Sequence, residues 1–479
     1  MDIINVLPSP PQFFHLFFRL SLSMFHSTIN ANYRRTITER SPAAFDVDPQ
    51  TGFFPRQPLP RLPQTFEIWE KALREANENL SLGEDESEEA IAKRPFGEHW
   101  RTSVMSWPVI DTEELHSDLR LSQRAHLVLA WLVNFYVHSI PMNDSTAGDP
   151  VRVPKSIAVP LVQISRHLGF APVLTFADTV LWNWELINPE EPLSMDNMRF
   201  VNSFSGTEDE KNFYHASAKA ELRGVEMLRI FDEFHNLPNV TDLTSISKIS
   251  RDLTRLAGII DDISEIIQSV RPLCDPHVFY WDVRPWFEGS DAKGPNGPGW
   301  IYEGVDDSDQ LDLSGPSAGQ SSVMHSLDIF LDIDHKLGQR RYPAPTPENK
   351  RADRGFMERM RRYMPGKHRE YLSYLASTLR SIRALAQATP TLREPYDTAV
   401  LALKRLRDSH IRIACLYVVT MSRTTPGARG GCPAIAMIER LQAARSSANG
   451  PVRGTGGNEL SVLLKAGRDA TRRAVLKDN

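Results

Sequence analysis

Along most of the chain apolar residues recur at three- and four-residue steps, and strict apolar/polar alternation is rare, so the pattern predicts helices and no convincing sheet. Helical spacing begins near Phe66, breaks at the acidic run 83–89, and resumes over 119–139 with an apolar face wide enough for a buried helix. An aromatic-rich helix is predicted over 171–186, and long helices over 207–235 and 242–271. A stretch rich in Pro, Gly and Asp follows from Cys274 to Gly319. Helices then resume at about 320–336, 352–361, 368–387, 393–421, 434–447 and 457–476. The clearest stripe lies in 394–421, where Val400, Leu403, Leu406, Ile413, Ala414 and Tyr417 share one face with His410 among them. A histidine on a buried stripe is either a satisfied core side chain or a metal ligand, and periodicity leaves both open.

The pattern divides the chain into an extension over 1–40, a smaller helical domain over 41–205 and a larger one over 206–479, joined near the Pro- and acid-containing stretch 187–210. The proline-rich segment 46–63 is expected to run extended over a surface. In the extension, the aromatic run 13–25 is interrupted by Arg19, and Arg34, Arg35 and Arg40 face only Asp2 and Glu39. That is a partial match to an organelle transit peptide; a disordered extension or a misassigned start, with Met24 as the true one, explains it equally. The expected location is cytoplasmic, with the transit-like character as the argument for a mitochondrial one.

Composition narrows the classes further. The 479 residues are 41% apolar, enough to bury a sizeable core, and carry a net charge of −5 with both signs interspersed. No basic patch suggests nucleic acid, and no apolar run reaches the length that spans a bilayer. The cysteines Cys274, Cys415 and Cys432 are odd in number and far apart, which argues against a disulfide framework or a thiolate zinc site. Without a Cys-x-x-Cys-His sequence, any haem would be held non-covalently.

Several stretches could carry chemistry. His325, Asp328, Asp332 and His335 share a helical face, but the outer pair stand about 15 Å apart along the axis, too far for one ion. A polar face with a supporting acid is the better reading. The small-residue turn SGPSAGQSSV (314–323) would let a backbone approach a flat ligand closely, or serve as a loop and N-cap. GTGG at 454–457 is not followed by Gly-Lys-Ser/Thr, so a lid with a hydroxyl at Thr455, or a linker, replaces the phosphate loop. In FYWDVR (279–284) one arginine stands beside aromatic residues, suited to clamping a carboxylate or to a structural ion pair. Phe213 and Ser217 in FYHAS share a face, as many core pairs do.

Taken together and in order, IAVP (157–160), FADTVLWNW (176–184), FYHAS (213–217), PSAGQSSV (316–323), MRRYMPGKHREYL (360–372), LRDSHI (406–411) and GTGG (454–457) resemble the indoleamine 2,3-dioxygenase family, from about residue 46 to the end. The resemblance is to a fungal-type member. It implies an all-α, two-domain fold, the small N-terminal domain capping the larger one, with a non-covalent haem b and its iron between them. It implies that His410 is the proximal haem ligand, Asp328 its supporting acid and Arg407 a propionate contact. Ser317 and Ala318 would lie against the haem edge. Phe213, Ser217 and Phe279 would form the catalytic pocket, Arg284 would hold the substrate carboxylate, and Thr455 would serve the ammonium and carboxylate region. Phe176 and Thr179 would line the inner pocket, where animal members have tyrosine and cysteine, which puts substrate affinity in question. The implied activity opens the indole ring of tryptophan with O2 to give N-formylkynurenine, in the tryptophan catabolism that feeds NAD biosynthesis. An external donor would reduce the haem, and the chain would act as a monomer. The alternatives are a haem-binding paralogue with little turnover and a related enzyme acting on a modified tryptophan.

Overall fold

The computed structural model describes residues 41–77, 79–141, 149–292, 299–333, 355–377, 380–426 and 460–476. Among them helices dominate, as the spacing predicts. After α1 (Glu67–Ala76) and α2 (Glu88–Ser106), the chain enters α3 (Leu119–His138), whose N-cap Asp118 accepts from the amides of Arg120 and Leu121. From Ala125 to Val137 every residue of α3 is buried, so this helix is a post surrounded by protein on all sides. Beside it runs α4 (Lys155–Leu168), ended by Gly169 in the left-handed region at φ 75°.

The entry to α5 (Glu208–Asn236) is fixed twice over. Thr207 caps it, and the buried Glu210 carboxylate accepts from Ser203 Oγ, the amides of Phe204 and Ser205, Ser205 Oγ and Tyr214 OH. Next, α6 (Leu243–Gln268) packs on α5, and α7 (Ser322–Phe330) crosses α5. Beyond α8 (Gly366–Ser377), the long α9 (Pro390–Ala414) lies along α6 and is flanked on its other side by α10 (Leu460–Ala474). Proline at the first position of α9 costs no hydrogen bond there.

The structure departs from the expected elements in several places. The predicted helix over 171–186 is an irregular segment with one π-helical turn, Ala177–Leu181, leading into a strand. Short strands do occur: β1 (Val151–Val153) pairs in parallel with β4 (Trp300–Tyr302), and β2 (Trp184–Leu186) antiparallel with β3 (Met198–Phe200). Such three-residue ladders are too brief to show alternation. α7 stops at Phe330, where Asp332 adopts a positive φ of 55°. The helix expected over 368–387 is two, Gly366–Ser377 and Ile382–Ala388, and that expected over 352–361 is Phe356–Met360. Residues 1–40, the helix expected at 434–447 and the GTGG stretch with Thr455 lie outside the described residues. β1 and β4 pair across the boundary expected near residue 205, and one apolar core runs through both segments. No helix among the described residues is long and apolar enough to cross a membrane.

Candidate active site

Of three π-helical turns, Ala177–Leu181 and Phe279–Val283 carry or adjoin Phe176, Thr179, Phe279 and Arg284, and Cys415–Thr420 follows the helix of His410. Such turns re-aim side chains and cluster at functional sites. Two of them are tied to the post α3. His126 Nδ1 lies 2.8 Å from Asp178 Oδ1 and Trp131 Nε1 donates to the Asp178 carbonyl at 3.0 Å, so α3 holds the turn bearing Thr179. Asn134 Nδ2 donates to the Trp286 carbonyl at 2.7 Å and His138 Nε2 lies 2.9 Å from the Glu288 carbonyl, so α3 also fixes the segment that follows Arg284.

The structure brings Phe213 and Phe279 together, with ring centroids 4.9 Å apart, and half-buries both. Ser217, one turn along α5, donates to the Phe213 carbonyl at 3.0 Å. Phe176 and Thr179 are buried; the Phe176 amide donates to Gln320 Oε1 at 2.8 Å, which joins the inner-pocket segment to the small-residue turn. In that turn Ala318 is exposed and Ser317 half-buried, although the flanking residues 313–316 and 320–323 are buried. Glycine is needed at Gly315, where a Cβ would lie 1.8 Å from the Phe287 carbonyl oxygen, and this close approach holds the turn against the segment after Arg284.

Along α9 and the π-helical turn that follows it, the stripe is buried as predicted at Val400, Leu403, Leu406, Ala414 and Tyr417, while His410 and Ile413 remain partly accessible. Tyr417 and Ile413 pack in one cluster with Phe279 and Ala216, so the face of α9 that bears His410 turns toward the Phe213 and Ser217 side of α5. Burial, and then the Arg407 charge, lower the pKa of His410, which keeps the imidazole neutral and its lone pair available at pH 7. Arg407, one turn earlier, donates from Nη2 to both oxygens of Asp328 at 2.6 and 2.7 Å, and from Nη1 to the Gly467 carbonyl and Thr471 Oγ1 of α10. Asp328 therefore supports α9 through Arg407, a relationship the spacing did not suggest. Arg284 is 12% exposed, donates to Glu288 Oε1 at 2.8 Å and lies 5.3 Å from the Tyr280 ring centre.

The model of the family described as indoleamine 2,3-dioxygenase matches residues 41–474. The chain belongs to that family. It is 30% identical over 456 residues to indoleamine 2,3-dioxygenase 1 of Rattus norvegicus, covering 94% of this chain and 99% of that one. An indoleamine 2,3-dioxygenase of Aspergillus candidus is 30% identical, covering 89% of this chain and 95% of its own. A 6-hydroxytryptophan 2,3-dioxygenase of Fusarium equiseti is 28% identical, covering 80% and 86%. With indoleamine 2,3-dioxygenase membership come the haem b cofactor, dioxygenase chemistry on tryptophan-like indoles and the all-α fold.

The residues present fit a haem. They offer an imidazole whose neutral form is favoured, an aromatic wall and a small-residue turn exposed at Ala318, beside the Arg407 guanidinium, which a carboxylate would share with Asp328. No group of three or more His, Cys, Asp or Glu among the described residues could hold a bare metal ion. Sequence reasoning missed Glu288, Asp178 and Glu221. Glu221 and Glu288 each carried a signal, an acid four residues after Ser217 and after Arg284, whereas Asp178 is held by His126, 52 residues away.

Proposed function

We propose that this indoleamine 2,3-dioxygenase acts on L-tryptophan with O2 and releases N-formylkynurenine. The observation that carries the reading is Arg284: a guanidinium 12% exposed, at the end of the turn bearing Phe279, with Tyr280 beneath it. A half-buried arginine beside an aromatic wall suits an amino acid whose carboxylate needs a forked donor and whose side chain is flat and apolar. Glu288 accepts one of its hydrogen bonds and tempers its charge, which orients the guanidinium rather than leaving it to sweep the pocket.

A bound haem, with an external donor to keep it reduced, would supply the iron chemistry that dioxygen needs. The chain's own residues do the positioning. His410 would hold the iron from the α9 side, with Arg407 at a propionate and Ser317 and Ala318 along the edge. Phe213 and Phe279, in contact with each other, would exclude water and form one wall against the indole. Ser217 spends its proton on the Phe213 carbonyl, so its oxygen is left as an acceptor, suited to an indole N–H. His215, two residues from Phe213 and Ser217, points to another face, where it meets Phe200, so it offers this pocket no base. Thr455 is proposed for the substrate's ammonium and carboxylate region.

One observation favours a second reading, a ring-hydroxylated tryptophan as substrate. The Thr179 hydroxyl is buried and bonds only at 3.2 and 3.4 Å to the Thr175 and Phe176 carbonyls, so it could serve a substrate hydroxyl, and the Fusarium equiseti relative is named for 6-hydroxytryptophan. The test is the product assay with ascorbate and methylene blue as reductant. N-formylkynurenine from L-tryptophan supports the first reading, turnover of hydroxylated indoles alone supports the second, and turnover of neither leaves a haem-binding protein without this activity. A cytoplasmic monomer remains the proposed state.

A further inference from the structure

One buried ionisable group has no part in this scheme. Glu221 lies on α5 one turn beyond Ser217, on the face that also carries Phe213, and is 5% exposed. Its Oε1 accepts from Ser321 Oγ, and Ser321 in turn caps α7 by accepting from the Met324 amide. Its Oε2 is buried with no hydrogen-bond partner. One turn further on, Gly224 lets α5 and α7 meet: a Cβ there would lie 2.3 Å from Val323 Cγ1. Glu221 thus sits at the joint where the turn 316–321 is fastened to the helix bearing Phe213 and Ser217.

The charged groups on the surrounding elements are engaged with one another. On α5 itself Arg223 pairs with Glu226 and with Asp262 of α6, and Arg255 of α6 also reaches Glu226. Asp328 of α7 is bound by Arg407, His325 lies within hydrogen-bond distance of the Gly319 carbonyl and Arg361, and Asp178 in the first π-helical turn is held by His126. Burial pushes the Glu221 carboxyl up to about 7, and the Ser321 bond pulls it back. A proton on Oε2 makes the group neutral, whereas its loss leaves an uncompensated charge in a dry joint.

We propose that Glu221, as the neutral acid, is a positioning residue that latches the turn 316–321 onto α5, and that its ionisation releases the turn and loosens the haem. The proposal rests on the haem edge lying against Ser317 and Ala318. Haem carries two carboxylates, so an ionised Glu221 adds like charge to its surroundings, and haem retention and ionisation oppose each other by linkage.

The test uses the full-length chain, E221Q and S321A. Glutamine keeps an acceptor for Ser321 and imitates the neutral acid. Haem transfer to an excess of apo-globin is timed between about pH 6 and about pH 8.5, and in haem-free protein the carboxylic-acid infrared band and amide exchange of 316–321 are followed over the same range. The wild-type transfer rate should rise at least ~5-fold while E221Q stays at the slow rate. The infrared band should fade through that range in wild type, be missing in E221Q, and persist to higher pH in S321A, which lacks the bond that favours the charged form. Amide exchange of the turn should accelerate relative to E221Q as the band fades. An E221Q chain with the wild-type pH slope, or a wild-type chain without the band at about pH 6, overturns the proposal. A wild type that takes up no haem at any pH counts against the haem reading alone, and the exchange comparison then decides the latch.

Discussion

Arg407 Nη2 lies 2.6 and 2.7 Å from the two carboxylate oxygens of Asp328, and the two side chains are 14% and 6% exposed. This pair fastens the helix after the small-residue turn to the helix of His410, and Arg407 extends the joint to α10 through Gly467 and Thr471. Removing one partner of a buried pair costs on the order of 3–5 kcal/mol, because the other charge stays buried and uncompensated. Arg407 keeps its α10 partners in Asp328→Ala, so we expect a loss near the lower end, about 3 kcal/mol, together with less haem per chain. Urea denaturation and the ratio of Soret to protein absorbance check it; a change within ~0.5 kcal/mol would mean the pair contributes no more than an exposed one.

Arg284→Ala separates substrate binding from cofactor binding. Loss of a charge-assisted hydrogen bond in a dry pocket is worth on the order of 1.5–3 kcal/mol, so KM for tryptophan should rise roughly 10- to 100-fold with the Soret band unmoved. An unchanged KM would remove Arg284 from the carboxylate site.

His368 makes the fold sensitive to acid. Its ring is wholly buried and packs edge-on against Phe53 with centroids 4.8 Å apart. Burial is the main cause that lowers its pKa from 6.5 to about 4. Between those values the unfolded chain binds the proton and the folded chain does not, so stability contributed by the neutral ring is full above about pH 6.5 and is lost as pH falls toward 4. The loss amounts to about 3 kcal/mol for this residue. In His368→Leu, the difference in urea stability between pH 7 and about pH 4.5 should shrink by a comparable amount; an undiminished pH dependence would assign the acid sensitivity elsewhere.

Thr179→Val tests the inner pocket. The swap keeps shape but deletes a hydroxyl whose two hydrogen bonds are long, at 3.2 and 3.4 Å, so folding should change by no more than ~1 kcal/mol. Relative kcat/KM for ring-hydroxylated against plain tryptophan should fall. If that ratio stays put, Thr179 does not read the ring substituent.

What was legible in the sequence followed from helical periodicity. The stripe around His410 and the long helices at 208–236 and 243–268 stood out because one face of each must be buried. The segment around Thr179 read as a helix because its aromatics are buried on all sides, and no local rule foretells that Asp178 will be drawn to His126, 52 residues away, and fix a π-helical turn instead. The same limit turned Asp328 toward Arg407, 79 residues away, because long-range charge pairing leaves no trace in spacing, whereas Glu288 stands four residues after Arg284, a step that helical spacing does pair. Phe213 and Ser217 could be paired from their four-residue step, yet only the packing of Tyr417 and Ile413 against Phe279 and Ala216 shows that His410's helix faces them.

The central claim is that His410 ligates the haem iron from the face of α9 that looks toward α5. The ferrous absorption spectrum of His410→Ala, reconstituted with haem beside the wild type, tests it most directly. The account predicts that the variant loses the five-coordinate, histidine-bound ferrous spectrum and makes no N-formylkynurenine, and that added imidazole restores the spectrum. An unaltered five-coordinate ferrous spectrum in His410→Ala would contradict it and return His410 to the apolar core.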